Sequence, residues 1–436
     1  MNFKPLLNFA LLVVFGLLGL SAHAQSAIQA GTAQVEITPP LGCPMWGYAS
    51  RQEGANGVHD PLMAKVLILH STETTIALVS WDVCEFQSPG LHQQMKTRGI
   101  DHLLLLCSHT HAGPALDAPF PSPEQPWKKT VEERILKAIE EAQKNMFPAC
   151  IAAGEGSITL GYNRLRRDPD GLATTLFNNP ERIPFGPVDP TVGVIRVTDQ
   201  AGVIRAVIVH YACHPVVLGP NNLKISADYV GAMYRTVEKE LGNQALCLFA
   251  QGGAGDINPL FMSREEGREE DFGPVEKMGE LLAKEVLSVL EQMKKVPGES
   301  AQLRASLDTV QVRHRWEPDK DKPLKFGTTA VLINSTIGII TLPGEPFHMF
   351  QVDVRKQAGL PHAYMFGYCD NTEQDWPDYY LPDIESAARG GYGAGDSGIA
   401  ELGTGELLVN RGLIQLYTLR GLLHDRPQPF RVGRPY

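Results

Sequence analysis

No two cysteines in this chain stand at the Cys-x-x-Cys spacing, so a thiolate zinc site has no support. The seven are Cys43, Cys84, Cys107, Cys150, Cys213, Cys247 and Cys369. Their odd number and lack of framework spacing argue for buried thiols, several of them in apolar, strand-like runs where Cys behaves as a small hydrophobe. Long blocks of like charge are also missing, and the formal net charge is −10. That excludes an extended basic surface and argues against a nucleic-acid partner, while leaving a lipid or apolar substrate open. Tandem repeats, low-complexity tracts and a recognisable linker are absent too.

The apolar run Leu6–Leu20 follows Lys4 and precedes Ala22-His23-Ala24. This is the pattern of a signal peptide over residues 1–24, too short and wrongly flanked for a stable membrane span. The expected mature chain is residues 25–436, one large catalytic domain exported to the periplasm or secreted. Its strands and helices interleave, so the expected fold class is α/β, with mixed β-sheets and flanking helices. Strands are expected at Gly31–Pro40, Met63–His70, Thr75–Asp82, Cys150–Leu160, Thr191–Thr198, Val203–Ala212, Ala245–Ala250, Ala301–Arg313, Thr329–Leu342 and Ala363–Tyr368. Helical spacing is clean over Lys128–Asn145, with Val131, Ile135, Ala138, Ile139 and Ala142 on one face. Further helices are expected at Ser88–Arg98, Ala227–Leu241, Pro274–Lys294, Phe347–Gln357 and Glu401–Leu423. Gly161–Asp189 and Cys369–Asp396 lack periodicity, and Ser263–Asp271 reads as a charged connector.

The chain is best organised around Asp101–Pro114, DHLLLLCSHTHAGP. Its uncharged run reads as a strand buried on both faces, ending in Ser108-His109-Thr110-His111. If the backbone stays extended there, the two imidazoles point to one side. The same arrangement recurs, because His214, Asp256 and Glu345 each follow an apolar strand. Sites in α/β folds are assembled at strand ends, and histidines with a carboxylate form the ligand set of an open hydrolytic zinc site. Taken singly, each residue also has a plain structural reading: a turn, a helix cap or a glycine loop.

The ordered motifs GTAQVEITPP, SHTHAGP, YNR, HYACHP, SADYVGAMYRTVE, GGAGDINP, LPGEPF and YYLPDIESAARGGYG go further. From about Gly31 onward the chain resembles the neutral (non-lysosomal) ceramidase family in its catalytic domain. The resemblance implies one Zn2+ per chain, with His109, His214, Glu345 and Tyr380 as ligands. It implies His111, Tyr392 and Arg164 as catalytic residues beside the metal, and Asp256 and Asn258 as substrate-binding residues. It also implies hydrolysis of the N-acyl amide of ceramide or a related N-acyl lipid by a zinc-activated water. The C-terminal immunoglobulin-like domain of familiar members has no counterpart here. Two positions depart from the family pattern: Asn258 stands where GDxSP carries serine, and Gly393 follows Tyr392 where glutamate is usual. Those departures keep two alternatives in view, a zinc-dependent deacylase or esterase for another acylated small molecule or sugar, and a non-catalytic binding protein on the same scaffold.

Overall fold

A computed structural model of the chain describes residues 28–84, 87–263, 271–317, 322–370 and 379–423. The expected signal peptide, and the expected connector between Ser263 and Asp271, lie outside the described residues. Two sheets face each other at the centre. The larger has nine strands, in the spatial order Leu246–Gln251, Ile204–Tyr211, Thr191–Asp199, Phe147–Ser157, Gln29–Glu36, Met63–His70, Thr75–Trp81, His102–Cys107 and Cys369–Asp370. Ile204–Tyr211 runs parallel to Leu246–Gln251, and Thr75–Trp81 parallel to His102–Cys107; the other neighbours are antiparallel. The smaller sheet is ordered Leu303–Val312, Leu324–Ile333, Ile337–Thr341 and His362–Phe366, with its last pair parallel.

Helices cover both outer faces, so the molecule has four layers. Leu69, Leu78 and Ile208 of the large sheet meet Val331, Ile339 and Phe366 of the small one. The opposite face of the large sheet, with Ile68, Val79 and Val209, packs on the helices Trp127–Lys144, Asp228–Glu240 and Gly273–Gln292. The outer face of the small sheet packs on His348–Gln357 and Thr404–Leu419. This layering accounts for the run of four leucines. Leu103 and Leu105 face the helices, while Leu104 and Leu106 face the second sheet. Each such burial stabilises the fold by about 1.5–3 kcal/mol. The large sheet also bends back on itself. Ser80 Oγ donates to the Phe249 carbonyl at 2.8 Å and accepts from its N–H at 3.1 Å, joining strands that are not neighbours in the sheet.

Most expected elements are present within a few residues. The helix Trp127–Lys144 buries the five residues assigned to its inner face. Ser88 caps Pro89–Met95 by accepting from Leu91 N–H at 3.2 Å. All seven cysteines are free, and burial pushes the Cys43 and Cys247 thiols up to about 12.

Three segments differ from expectation. Thr329–Leu342 is not one strand but parts of two, Leu324–Ile333 and Ile337–Thr341. They are joined by a tight turn with Asn334 at φ 54° and Ser335 at φ 60°, the left-handed conformation that hairpin turns demand. Neither Gly nor Pro marks the turn, so the apolar residues on both sides hide it. Gly161–Asp189 contains three short strands, Gly161–Asn163, Leu165–Arg167 and Ala173–Thr175. Cys369–Asp396 contains the strand Tyr380–Leu381 and a helix, Ile384–Arg389, capped by Asp383.

Two consequences for stability follow from this packing. A Cβ on Gly279 would stand 2.4 Å from Ala232 Cβ and 2.6 Å from the Tyr229 carbonyl oxygen. Those neighbours belong to the facing helix and have no rotamer through which to retreat. Gly279→Ala gains about 1 kcal/mol of helix propensity, yet overpacking should win with a net loss of about 1–3 kcal/mol, read as a lowered urea midpoint at constant slope. Asp82 is buried at the end of Thr75–Trp81 and accepts from Met63 N–H at 2.9 Å. Burial raises its carboxyl to about 7, against the pull of that bond and of Lys65. A raised acid is protonated more readily in the folded chain, so its contribution is present at low pH and is lost as pH rises through about 7. The stability advantage of Asp82→Asn over the native chain should therefore grow by about 2–3 kcal/mol between pH 5 and pH 8, measured by urea unfolding at the two pH values.

Candidate metal centre

The ends of the parallel strand pairs open on one region. His102–Cys107 ends just before Ser108 and His109, and Ile204–Tyr211 ends three residues before His214. Gln251, fully buried at the end of its strand, ties the two departures together. Its Nε2 donates to the Cys213 carbonyl at 2.9 Å and to the Ser108 carbonyl at 3.4 Å. The extended path that would aim His109 and His111 the same way stops at Cys107. His109 has φ 70°, a left-handed conformation that a non-glycine residue adopts only when its surroundings impose it. Its N–H donates to the Val83 carbonyl at 2.9 Å, which holds the kink. The two imidazoles still share one site, with Nε2 atoms 3.1 Å apart, but through that kink rather than strand alternation.

Glu345 enters from the other side. It lies in the two-residue strand Glu345–Pro346, parallel to Tyr380–Leu381, with Glu345 in register with Tyr380. One of its oxygens, Oε2, is 2.9 Å from His214 Nε2 and 3.3 Å from His109 Nε2. The outer nitrogens are committed elsewhere. His109 Nδ1 donates to the Cys84 carbonyl at 2.8 Å, and His214 Nδ1 to the Ala254 carbonyl at 2.6 Å. Fixing the proton on Nδ1 leaves Nε2 of each ring as the inward-facing ligand atom. The ligand atoms of His109, His214 and Glu345 lie within 4.8 Å of one another, and all three residues are buried. The donor set fits a divalent ion of the zinc type: two neutral imidazoles and a carboxylate, with the outer nitrogens held by backbone.

Electrostatics agree with that fit. Burial lowers the His214 imidazole to about 4, against its bond to Glu345, so the ring is neutral at ordinary pH, as a ligand must be. Burial alone would raise Glu345, but His109 and His214 outweigh it and hold the carboxyl well below the usual range. Burial and the adjacent Glu345 charge push the Tyr380 phenol well above its ordinary value, against Arg164.

Arg164 sits behind the tyrosines. Its guanidinium lies 5.3 Å from the Tyr380 ring centre and 4.9 Å from that of Tyr392, and the two rings are 5.5 Å apart. It donates to the Gly255 carbonyl at 2.6 Å and to Asn258 Oδ1 at 3.4 Å. Burial works to lower Arg164, yet Tyr380, Glu345 and Tyr392 together raise it above the ordinary range.

Asp256 and Asn258, expected to touch substrate, do not line the cleft described below. Each is 1% exposed. Asp256 accepts from His348 Nδ1 at 2.6 Å, from His348 N–H at 2.9 Å and from Asn163 Nδ2 at 2.7 Å. Burial opposes ionisation of both partners of the Asp256–His348 pair, but their mutual attraction prevails, lowering Asp256 and raising His348. This ion pair clamps the glycine loop against the start of the His348–Gln357 helix. Asn258 contacts the site only through Arg164. Tyr379 is a packing residue, 5.0 Å from the Phe326 ring.

A cleft of about 530 Å³ opens over His109, His111, Glu345, Tyr380 and Tyr392. Its far wall is the loop Met45–Arg51, also with Cys84 and Ala115 in the lining. Gly47, at φ 100°, packs against the His111 ring so closely that a Cβ there would lie 2.5 Å from it. The sequence reading missed this wall, which is aperiodic and carries no motif. It also missed Tyr368, whose ring is 4.4 Å from that of His109 and whose Oη donates to Glu345 Oε2 at 3.5 Å. Tyr368 lies two residues beyond the apolar strand His362–Phe366, as His109 lies two beyond Cys107; the expected strand Ala363–Tyr368 absorbs it.

Among the described residues no helix is long and apolar enough to cross a membrane. The family described as neutral/alkaline non-lysosomal ceramidase, N-terminal, matches residues 28–271. Neutral ceramidase A of Dictyostelium discoideum is 28% identical over 263 residues, covering 54% of this chain and 36% of that protein. Neutral ceramidase B of the same organism is 25% identical over 268 residues, covering 55% of this chain and 36% of that protein. The matches thus span little more than a third of those relatives' length. Among solved structures, the fold is similar to neutral ceramidase from Pseudomonas aeruginosa, with TM-score 0.72 and 16% identity over 94% of this chain and 77% of that one. It is similar also to a ceramidase complexed with C2, with TM-score 0.74 at the same identity and coverage. The ordered motifs and the family match over more than half of its residues lead to one conclusion: the chain belongs to the neutral/alkaline non-lysosomal ceramidase family.

Proposed function

We propose that the chain is an exported zinc-dependent amidohydrolase that cleaves the N-acyl amide of ceramide or a related N-acyl lipid. The observation that carries the reading is the convergence of His109 Nε2 and His214 Nε2 on one oxygen of Glu345 at the floor of the cleft. Tyr380, in register with Glu345, completes the proposed ligand set. When bound, zinc polarises a carbonyl and makes water a nucleophile near neutral pH.

The chain's own residues supply the remainder. Water adds its oxygen to the acyl carbon and the C–N bond breaks, giving a fatty acid and a free amine. Tyr392, 36% exposed at the cleft wall, is the phenol placed to donate to the developing oxyanion. His111 lines the cleft and is placed to carry a proton to the leaving nitrogen. Arg164 acts as a positioning residue, fixing Tyr380 and Tyr392 through their rings. The apolar stretch Met45–Tyr48 gives the acyl chain a surface on which to lie. The signal-peptide pattern over residues 1–24 supports action in the periplasm or outside the cell.

A second reading, deacylation of another acylated small molecule or sugar, draws on Asn258. This residue replaces the family serine and sits behind Arg164, where it alters the site indirectly. The complete donor set speaks against a purely binding role.

Three experiments test the reading. The purified protein should bind one zinc ion per chain by elemental analysis and hydrolyse a fluorescent ceramide, with activity lost to a chelator and restored by zinc. His214→Ala should lose both metal and at least about 100-fold in kcat/KM; full zinc occupancy in that variant would sink the ligand assignment. Asn258→Ser should raise ceramide turnover if this position sets specificity, and an unchanged kcat/KM would remove that role.

A further inference from the structure

The loop that walls the cleft carries a cation that no carboxylate among the described residues answers. Arg51 lines the cleft, and its assigned hydrogen bonds all go to backbone carbonyls. Nη1 donates to Trp46 O and His111 O at 2.9 Å each, Nε to Pro220 O at 3.3 Å, and Nη2 to Gly219 O at 3.5 Å. These acceptors orient the guanidinium but carry no net charge, and Nη2 is left with one long bond. The neighbours that bear on its charge are Tyr48 and Cys84, neither of them a carboxylate. Among the described lining residues the only carboxylate is Glu345, which faces His109 and His214. Burial lowers the guanidinium from its ordinary value, yet arginine keeps its charge at any physiological pH. The cleft of a chain with net charge −10 therefore presents a fixed cation, tied to the backbone of His111.

We infer that the preferred substrate carries a carboxylate beside the scissile amide, as an N-acyl α-amino acid does, and that Arg51 recognises it. The inference rests on the amidohydrolase reading above and narrows its substrate. Arg51 is bonded to the backbone of His111, whose ring touches His109. Arg51, His109 and His111 line one cleft, which suits a carboxylate on the carbon attached to the amide nitrogen rather than one at the far end of an acyl chain. The guanidinium offers Nη2 and its charge to that group, a charge-assisted contact, while Met45, Trp46 and Tyr48 line the cleft for the acyl chain. The bond cleaved is the same amide C–N bond, with water added across it, and the carboxylate takes no part in the step.

The test compares matched substrates on the zinc-loaded full chain. N-lauroylglycine and N-lauroylglycinamide share the acyl chain and the scissile amide and differ in carrying a carboxylate or a neutral carboxamide. The native protein should favour the carboxylate by about ten-fold or more in kcat/KM. Arg51→Gln should bring the ratio of the two values close to one, and Arg51→Lys should keep part of it. Because Arg51 also tethers three segments, the native protein alone gives a second readout: rising salt should raise KM for the charged substrate more than for the neutral one. Equal or reversed preference in the native protein, with turnover still sensitive to a chelator, overturns the carboxylate inference and leaves the hydrolase reading standing. Failure to cleave either amide or ceramide overturns both.

Discussion

A single buried carboxylate oxygen sets the terms for this molecule. Glu345 Oε2 has His109 and His214 nitrogens at 3.3 and 2.9 Å and the Tyr368 hydroxyl at 3.5 Å. An isolated carboxylate at that depth is strongly disfavoured, and such a group either neutralises or acquires partners. Here the partners come from three strand ends in two sheets, so the site forms only when both sheets are assembled against each other. The backbone carbonyls of Cys84 and Ala254, by holding the outer imidazole nitrogens, aim the inner ones at that oxygen. The Arg164 guanidinium, packed against two phenols, adds positive charge behind the same group.

The four-layer core makes that geometry rigid. The histidines follow strands buried on both faces, and the loops leaving those strands are fixed by Gln251 and by the Asp256–His348 pair. Left-handed backbone occurs where the chain turns into the site. His109 and Tyr368 both adopt left-handed backbone conformations, and their rings are in contact. Such conformations persist only where packing over-determines them. The cleft wall is different in kind, an aperiodic loop joined to His111 by the close approach of Gly47 and the hydrogen bonds of Arg51. The core thus fixes the histidine–carboxylate end of the cleft, and the loop forms its opposite wall.

Much of this was legible beforehand, for physical reasons. A strand between two layers must be apolar on both sides, so LLLLC announced itself. The amphipathic helix Trp127–Lys144 could bury only the face that carries Val131, Ile135 and Ile139. Of the residues that follow apolar strands, His109, His214 and Glu345 converge, because the ends of parallel strands gather on one edge. What escaped was information held in no local pattern. The turn at Asn334 and Ser335 lacks the glycine that usually signals left-handed backbone. Asp256 and Asn258 sit in a motif expected at the substrate, yet the loop folds inward and gives their polar atoms to His348, Asn163 and Arg164.

Periodicity and ordered motifs are properties of the chain, and from them came the α/β class, the family and the candidacy of His109, His214 and Glu345. Which atoms meet is a property of the folded chain. The direction of His109 depends on a left-handed residue held by Val83, the tautomers depend on carbonyls from distant segments, and Arg51 reaches the cleft only because its loop is anchored to His111 and to residues 219–220. Contacts between residues so far apart in the chain are set by packing, and packing is what a one-dimensional pattern does not carry.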